Sequence, residues 1–267
     1  MKSKSEIVSN WLPRYTGMAV EDFSRYILLT NFSGYLKKFA EWGNVEIVGA
    51  DRAMPCATAD GITMINFGMG SPNTASICDL LSALGPSSKE NGRCAGPKAV
   101  LFLGKCGGLK KKNKLGDLIL PIGAIRGEGT SDSYMPPEVP ALPAFALQKA
   151  ISTTIRDNKR DYWTGTVYTT NRRVWEHDNK FKRYLRKTRA MAIDMETATL
   201  FTAAFKNKFP AGALLLVSDT PMIPEGVKTE ASDAKVTQDY VDFHVRMGIE
   251  SLKQLMNKGN TVKHLKF

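Results

Sequence analysis

Asp194, Met195 and Glu196 stand in a row within RAMAIDMETATLF (189–201), where an apolar run gives way to helix-forming residues. A carboxylate at a helix start is favoured by the free amides and the dipole, which accounts for one acid there. The second acid has another use open to it. A carboxylate accepts two donors at once, as a vicinal diol such as O2′ and O3′ of ribose would supply. A second acidic strand end is LLLVSDTPM (214–222), where Ser218 and Asp219 close an apolar run. Desolvation there would raise the Asp219 pKa towards neutrality and let it give up a proton. A capping aspartate that opens a turn is the plain alternative.

Two glycine-bearing strand ends could meet an anion. In NFGMGSPN (66–73), Gly68 and Gly70 precede Ser71 and a helix start, so backbone amides could face a phosphate. An ordinary strand-to-helix turn fits the same residues. In FLGKCGGLKKKNKLGD (102–117), Gly104, Gly107 and Gly108 surround Lys105, which could neutralise a phosphate or point to water. Metal chemistry has less to build on. Cys56, Cys78, Cys94 and Cys106 form no CxxC pair, and His177, His244 and His264 are scattered. Zinc sites and disulfide frameworks need closer ligands, so reduced thiols, no metal and no cofactor are expected.

These residues need elements to hold them. Short apolar and β-branched runs at 45–49, 62–69, 99–107, 117–125, 165–170, 190–195 and 212–219 read as strands covered on both faces. Helical candidates lie between them at 73–84, 143–157, 177–187, 196–207 and 234–257. Phe23, Tyr26, Ile27, Phe32, Tyr35, Leu36 and Phe39 recur at helical spacing, so residues 1–42 read as a helical N-terminal extension. The alternation predicts a three-layer α/β/α fold with a mixed central sheet, as one domain over residues 1–267. Ligands of such sheets gather at the carboxyl ends of strands, where all four acidic and glycine-bearing stretches fall. Residues 84–98 (LGPSSKENGRCAGPK) and 127–143, with four prolines, read as exposed loops.

Bulk properties narrow the partners. The chain has 267 residues, 43% hydrophobic and 24% charged, which is ordinary for a globular protein. The sequence has no apolar run long enough to span a bilayer and no secretory h-region, so a soluble, cytoplasmic protein without membrane partners is expected. A net charge of +11 favours an anionic partner. The basic runs LKKKNK (109–114) and NKFKRYLRKTR (179–189) can equally be solvated faces. LKKKNK carries no interleaved aromatics, so nucleic acid is a weaker expectation than a phosphorylated metabolite.

Taken in order, FGMGSPNTASI, LGKCGGL, AIRGEGTS, AIDMETATL and LLLVSDTP resemble the nucleoside phosphorylase superfamily, the purine and uridine phosphorylase fold that also contains nucleosidases. The longer blocks from Leu103 to Phe145, TVYTTNRRVWEHD and VSDTPMIPEGVKTEASD are most similar to its AMP-cleaving nucleosidases in their short bacterial form. The resemblance implies hydrolysis of AMP to adenine and ribose 5-phosphate, in a homo-oligomer of the hexameric kind common in the family. It implies that Glu196 and Met195 hold ribose, and that Asp219, beside Ser218, protonates purine N7. Tyr168 falls where the family places an aromatic against the base. Gly70, Lys105 and Arg126 fall at or beside its anion-binding turns. One departure bears on the reaction: the arginine that holds inorganic phosphate in the purine phosphorylases is matched here by Phe102, which favours water as nucleophile. Asp194 and Glu128 are the candidates for activating that water, and Arg52, Lys105, Lys110, Arg126 and Lys228 for the 5′-phosphate. The rival readings are a phosphorylase or nucleosidase of unphosphorylated nucleosides, and a non-enzymatic nucleotide- or RNA-binding protein.

Overall fold

A computed structural model describes residues 2–85 and 94–258. The chain runs through α1 (Lys4–Thr16), β1 (Tyr26–Thr30), α2 (Ser33–Gly43), β2 (Cys56–Ala59), β3 (Ile62–Asn66), α3 (Ser71–Leu81) and β4 (Ala99–Gly108). It continues through β5 (Leu118–Gly127), α4 (Phe145–Asp157), β6 (Trp163–Thr170), α5 (Asn179–Thr188), β7 (Ala192–Asp194), α6 (Thr197–Asn207), β8 (Ala211–Asp219) and α7 (Glu230–Lys258).

The eight strands form one mixed sheet in the order β2-β3-β1-β4-β7-β6-β5-β8. The last strand also pairs with β4, in parallel register from Val100↔Ala211 onwards. Strands β4, β7, β6, β5 and β8 therefore close on themselves. Closure explains why β4 and β8 are buried at every position: neither has a free edge, and both faces are covered. One core cluster joins Leu12 of α1, Ile77 of α3 and Phe201 of α6 to one face of the sheet. Another joins Phe39 of α2, Ile151 of α4 and Val245 of α7 to the other face. The expected three layers are present.

Two expectations fail at the N-terminal end. Residues 1–42 are not a purely helical extension: between α1 and α2 they contain β1, which pairs in parallel with both β3 and β4. Its Ile27, Leu28 and Leu29 are all fully buried, and apolar residues flanking a short two-sided strand imitate helical spacing. Conversely, 45–49 contributes only the isolated bridge Val48↔Cys56, while β2, which sequence reading omits, forms the sheet edge beside β3. Of the expected loop 84–98, residues 86–93 lie outside the described residues. No described helix is long and apolar enough to cross a membrane.

Candidate active site

Glu196 and Asp219 line the same cavity, of about 190 Å³, at the carboxyl ends of β7 and β8. Met195, Ser218, Lys105 and Lys228 also line it. The DME row divides its work between its two acids. Asp194, a candidate for activating water, also lines the cavity, but both its oxygens are taken up by the chain. Its Oδ2 accepts from the backbone N–H of Thr197 (2.8 Å) and of Glu196 (3.2 Å) and from the Thr197 hydroxyl. Its Oδ1 accepts from the Thr169 hydroxyl at 2.7 Å. It thus fastens the start of α6 to β6, satisfying amides that a helix leaves unpaired. Burial still raises its pKa, although those four donors pull it down.

Glu196 turns away from the α6 amides beyond it. Its Oε1 accepts from the Gly70 backbone N–H at 2.7 Å and from Asn31 Nδ2 at 3.2 Å, and its Oε2 from the Met195 N–H at 3.2 Å. The Gly70 amide is presented because Gly70 takes φ 94°, a left-handed backbone closed to most side chains, just ahead of Pro72 in α3. Burial, and then the neighbouring Asp194 carboxylate, push the Glu196 pKa up to about 8 against its donors. Asp219 is held more lightly. The Ser218 hydroxyl donates to its Oδ1 at 2.8 Å, and Lys228 Nζ stands 3.8 Å away. Burial raises its pKa, with Lys228 and then Ser218 opposing.

The basic residues are arranged otherwise than the sequence suggests. Lys105 is not in a turn but inside β4, with its side chain 3% exposed. Its ammonium donates to Asp233 Oδ1 and to the Thr237 hydroxyl, both at 2.8 Å, and lies 4.6 Å from the centroid of the Phe32 ring. Lys228 approaches the same Asp233 at 3.5 Å, so the first turn of α7 ties two cavity lysines together. Arg126 faces away from the cavity. Its guanidinium donates to Ser131, Asp132 and the carbonyls of Met135, Pro136 and Val139, and so pins the loop that follows β5. Of the other candidates for a 5′-phosphate, Arg52 and Lys110 are not among the lining residues, and Lys228 is.

Tyr168 also lies outside the cavity wall. Its ring stands edge-on to Phe181 and Tyr184 of α5, at 5.8 Å and 5.9 Å, and occupies the space over Gly127. The aromatics that do line the cavity are Trp175 and Phe32. Trp175 follows β6, 5.5 Å from the Phe181 ring. Glu128 is buried away from the lining, accepting from the Ser131 N–H and the Thr199 hydroxyl. Sequence reasoning missed Trp175, Arg172, Arg173 and Glu176, although NRRVWE, with two cations, an acid and an indole in six residues, carried the signal. It also missed Asn31, a polar residue in a stretch read only for helical spacing, and Asp233, which closes a block read only for its family resemblance.

The arrangement offers two acids with raised proton affinity on strands that flank one strand, an apolar and aromatic wall between polar ends, and cations balanced by internal carboxylates. Comparison with known proteins gives the family. The Phosphorylase superfamily profile matches residues 25–255. An AMP nucleosidase of Escherichia coli (strain K12) is 29% identical over 296 residues, which cover 93% of this chain and 58% of that protein, so the chain spans little more than half of that relative's length. The crystal structure of AMP nucleosidase from Bacteroides thetaiotaomicron VPI-5482 superposes with a TM-score of 0.82 at 54% identity, covering 95% of this chain and 98% of that one. A uridine phosphorylase from Vibrio fischeri ES114, at 24% identity and a TM-score of 0.73 over 89% of this chain and 93% of its own, shares the fold. The chain belongs to the phosphorylase superfamily.

Proposed function

We propose that this protein hydrolyses the N-glycosidic bond of AMP, giving adenine and ribose 5-phosphate. The observation that carries the reading is the convergence of Glu196 and Asp219, both with raised proton affinity, on a cavity that also presents Met195 and Trp175. The similarity to the E. coli and Bacteroides AMP nucleosidases supplies the substrate.

In this reading Asp219, whose proton affinity burial raises, gives a proton to purine N7 as the C1′–N9 electron pair leaves with adenine. General acid assistance of this kind is typically worth ~10²–10⁴-fold. Glu196 holds the ribose hydroxyls. Two sugar donors added to its three N–H donors favour the ionised form in the complex, placing negative charge beside a sugar that becomes cationic. Phe102 supports water over inorganic phosphate as nucleophile: its ring packs on Phe67 at 5.7 Å within the core and offers no charge to the cavity. The protein is cytoplasmic in this account and acts without metal or cofactor. A homo-oligomer is supported by apolar surface beside the cavity, where Met69 and Val174 are 55% and 71% exposed. The tyrosine expected against the base gives that place to Trp175.

Incubation with AMP, adenosine and inosine, with and without inorganic phosphate, tests the reading. Adenine and ribose 5-phosphate from AMP in phosphate-free buffer are expected. Ribose 1-phosphate formed only when phosphate is added would replace hydrolysis with phosphorolysis.

A further inference from the structure

Asn31 directly follows β1 and lines the cavity beside Phe32 and Glu196. Its amide is half used. Nδ2 donates to Glu196 Oε1 at 3.2 Å, while Oδ1 is buried and has no hydrogen-bond partner among the described residues. Buried acceptors are normally paired, because an unpaired one forfeits its hydration for nothing. An orphan in a cavity wall is therefore an acceptor waiting for a donor from a ligand. The charges around it limit what that ligand can be. The Glu196 carboxylate lies on one side. Elsewhere in the same cavity wall, the Lys105 ammonium is committed to Asp233 and Thr237. An anion such as inorganic phosphate would meet an acceptor oxygen and a carboxylate at Asn31. Water, with two hydrogens to donate, fits both.

We propose that Asn31 is a catalytic residue that orients the attacking water, its Oδ1 accepting one hydrogen while Glu196 faces the other. The inference rests on the hydrolytic reading above and specifies its nucleophile. As the C1′–N9 bond breaks, its electron pair leaves with adenine, which takes the Asp219 proton at N7. The water oxygen then forms the C1′–O bond and loses one proton to solvent. The other hydrogen stays on the new hydroxyl, donated to Asn31. Solvent then returns a proton to Asp219, so the acid is restored and the step balances. Asn31 moves no proton; it fixes where the water oxygen points, and misplacement by about 1 Å can cost ~10²-fold in rate.

The test compares Asn31→Leu with Asn31→Ala in phosphate-free AMP hydrolysis. Both variants lose the hydrogen bond to Glu196, but alanine leaves room for a second water to act as the acceptor, and leucine fills that room. Asn31→Leu is expected to lose about 100-fold in kcat with KM within about threefold of the parent. Asn31→Ala is expected to keep a kcat at least about tenfold above that of Asn31→Leu. Equal losses in the two variants would make Asn31 a mere support for Glu196 and overturn the proposal, as would a kcat within threefold of the parent for Asn31→Leu. Should Asn31→Leu fail to fold, Asn31→Thr against Asn31→Val, alike in size and differing by one hydroxyl acceptor, makes the same comparison, and equal kcat overturns it. Absence of adenine release by the unmodified protein would instead fell the hydrolytic reading itself, before any variant is measured.

Discussion

Glu196, two residues past β7, and Asp219, the last residue of β8, follow strands that both lie against β4, and they are held in opposite ways. Glu196 is gripped by three N–H groups from three separate stretches of chain, at Gly70, Asn31 and Met195. Asp219 has a neighbouring hydroxyl and a lysine 3.8 Å away. A carboxylate fixed by donors keeps its place whatever it binds, which suits the recognition of hydroxyls. One held by a single hydrogen bond, with its cation 3.8 Å off, can take up a proton and release it, which suits acid catalysis. Burial raises both pKa values, but for Glu196 the next largest cause is another acid, Asp194. The proton affinity of the sugar-side group is thus set by a residue placed there to hold a helix.

The largest test of this contrast is removal of the acid. Asp219→Asn is expected to lower kcat by ~10²–10⁴-fold while leaving KM for AMP within about tenfold, whereas Glu196→Ala should raise KM as well as lower kcat. Steady-state kinetics of the two variants breaks the comparison if both fail in the same parameter. A smaller effect is expected from Asp194→Asn. Loss of a charge that accepts four hydrogen bonds should cost stability by about 2 kcal/mol, read by denaturant unfolding. Removing a negative neighbour should also lower the pH at which Glu196 titrates from about 8, because the ionised form no longer faces a like charge. An isotope-edited infrared titration of the Glu196 carboxyl checks the direction. No shift would mean that burial alone holds its proton.

A second contrast runs between acids and bases, and it bears on how much could be read in advance. The strand-end acids were legible because β7 and β8 are short apolar runs that stop at a carboxylate, and a parallel-type strand leaves its functional groups at that end. The partners of the cations were not. Lys105 meets Asp233 across 128 positions of sequence, and Arg126 spends its donors on the loop it precedes. A basic residue near a glycine looks the same in sequence whether its partner is a ligand or its own chain. Tyr168 illustrates another limit: residues 167–170 of β6 are all buried, so alternation does not tell which side faces the cavity. Strand β1 escaped notice because five residues between two stretches with helical spacing leave no period of their own.

The account depends most on a base and a sugar lying between the two acids. A crystal structure with a non-cleavable adenine nucleotide tests it directly. The account predicts purine N7 within hydrogen-bonding distance of Asp219, and the ribose O2′ and O3′ hydroxyls donating to Glu196. A nucleotide bound elsewhere, or in this cavity with its base turned from Asp219 and its sugar out of reach of Glu196, would contradict it.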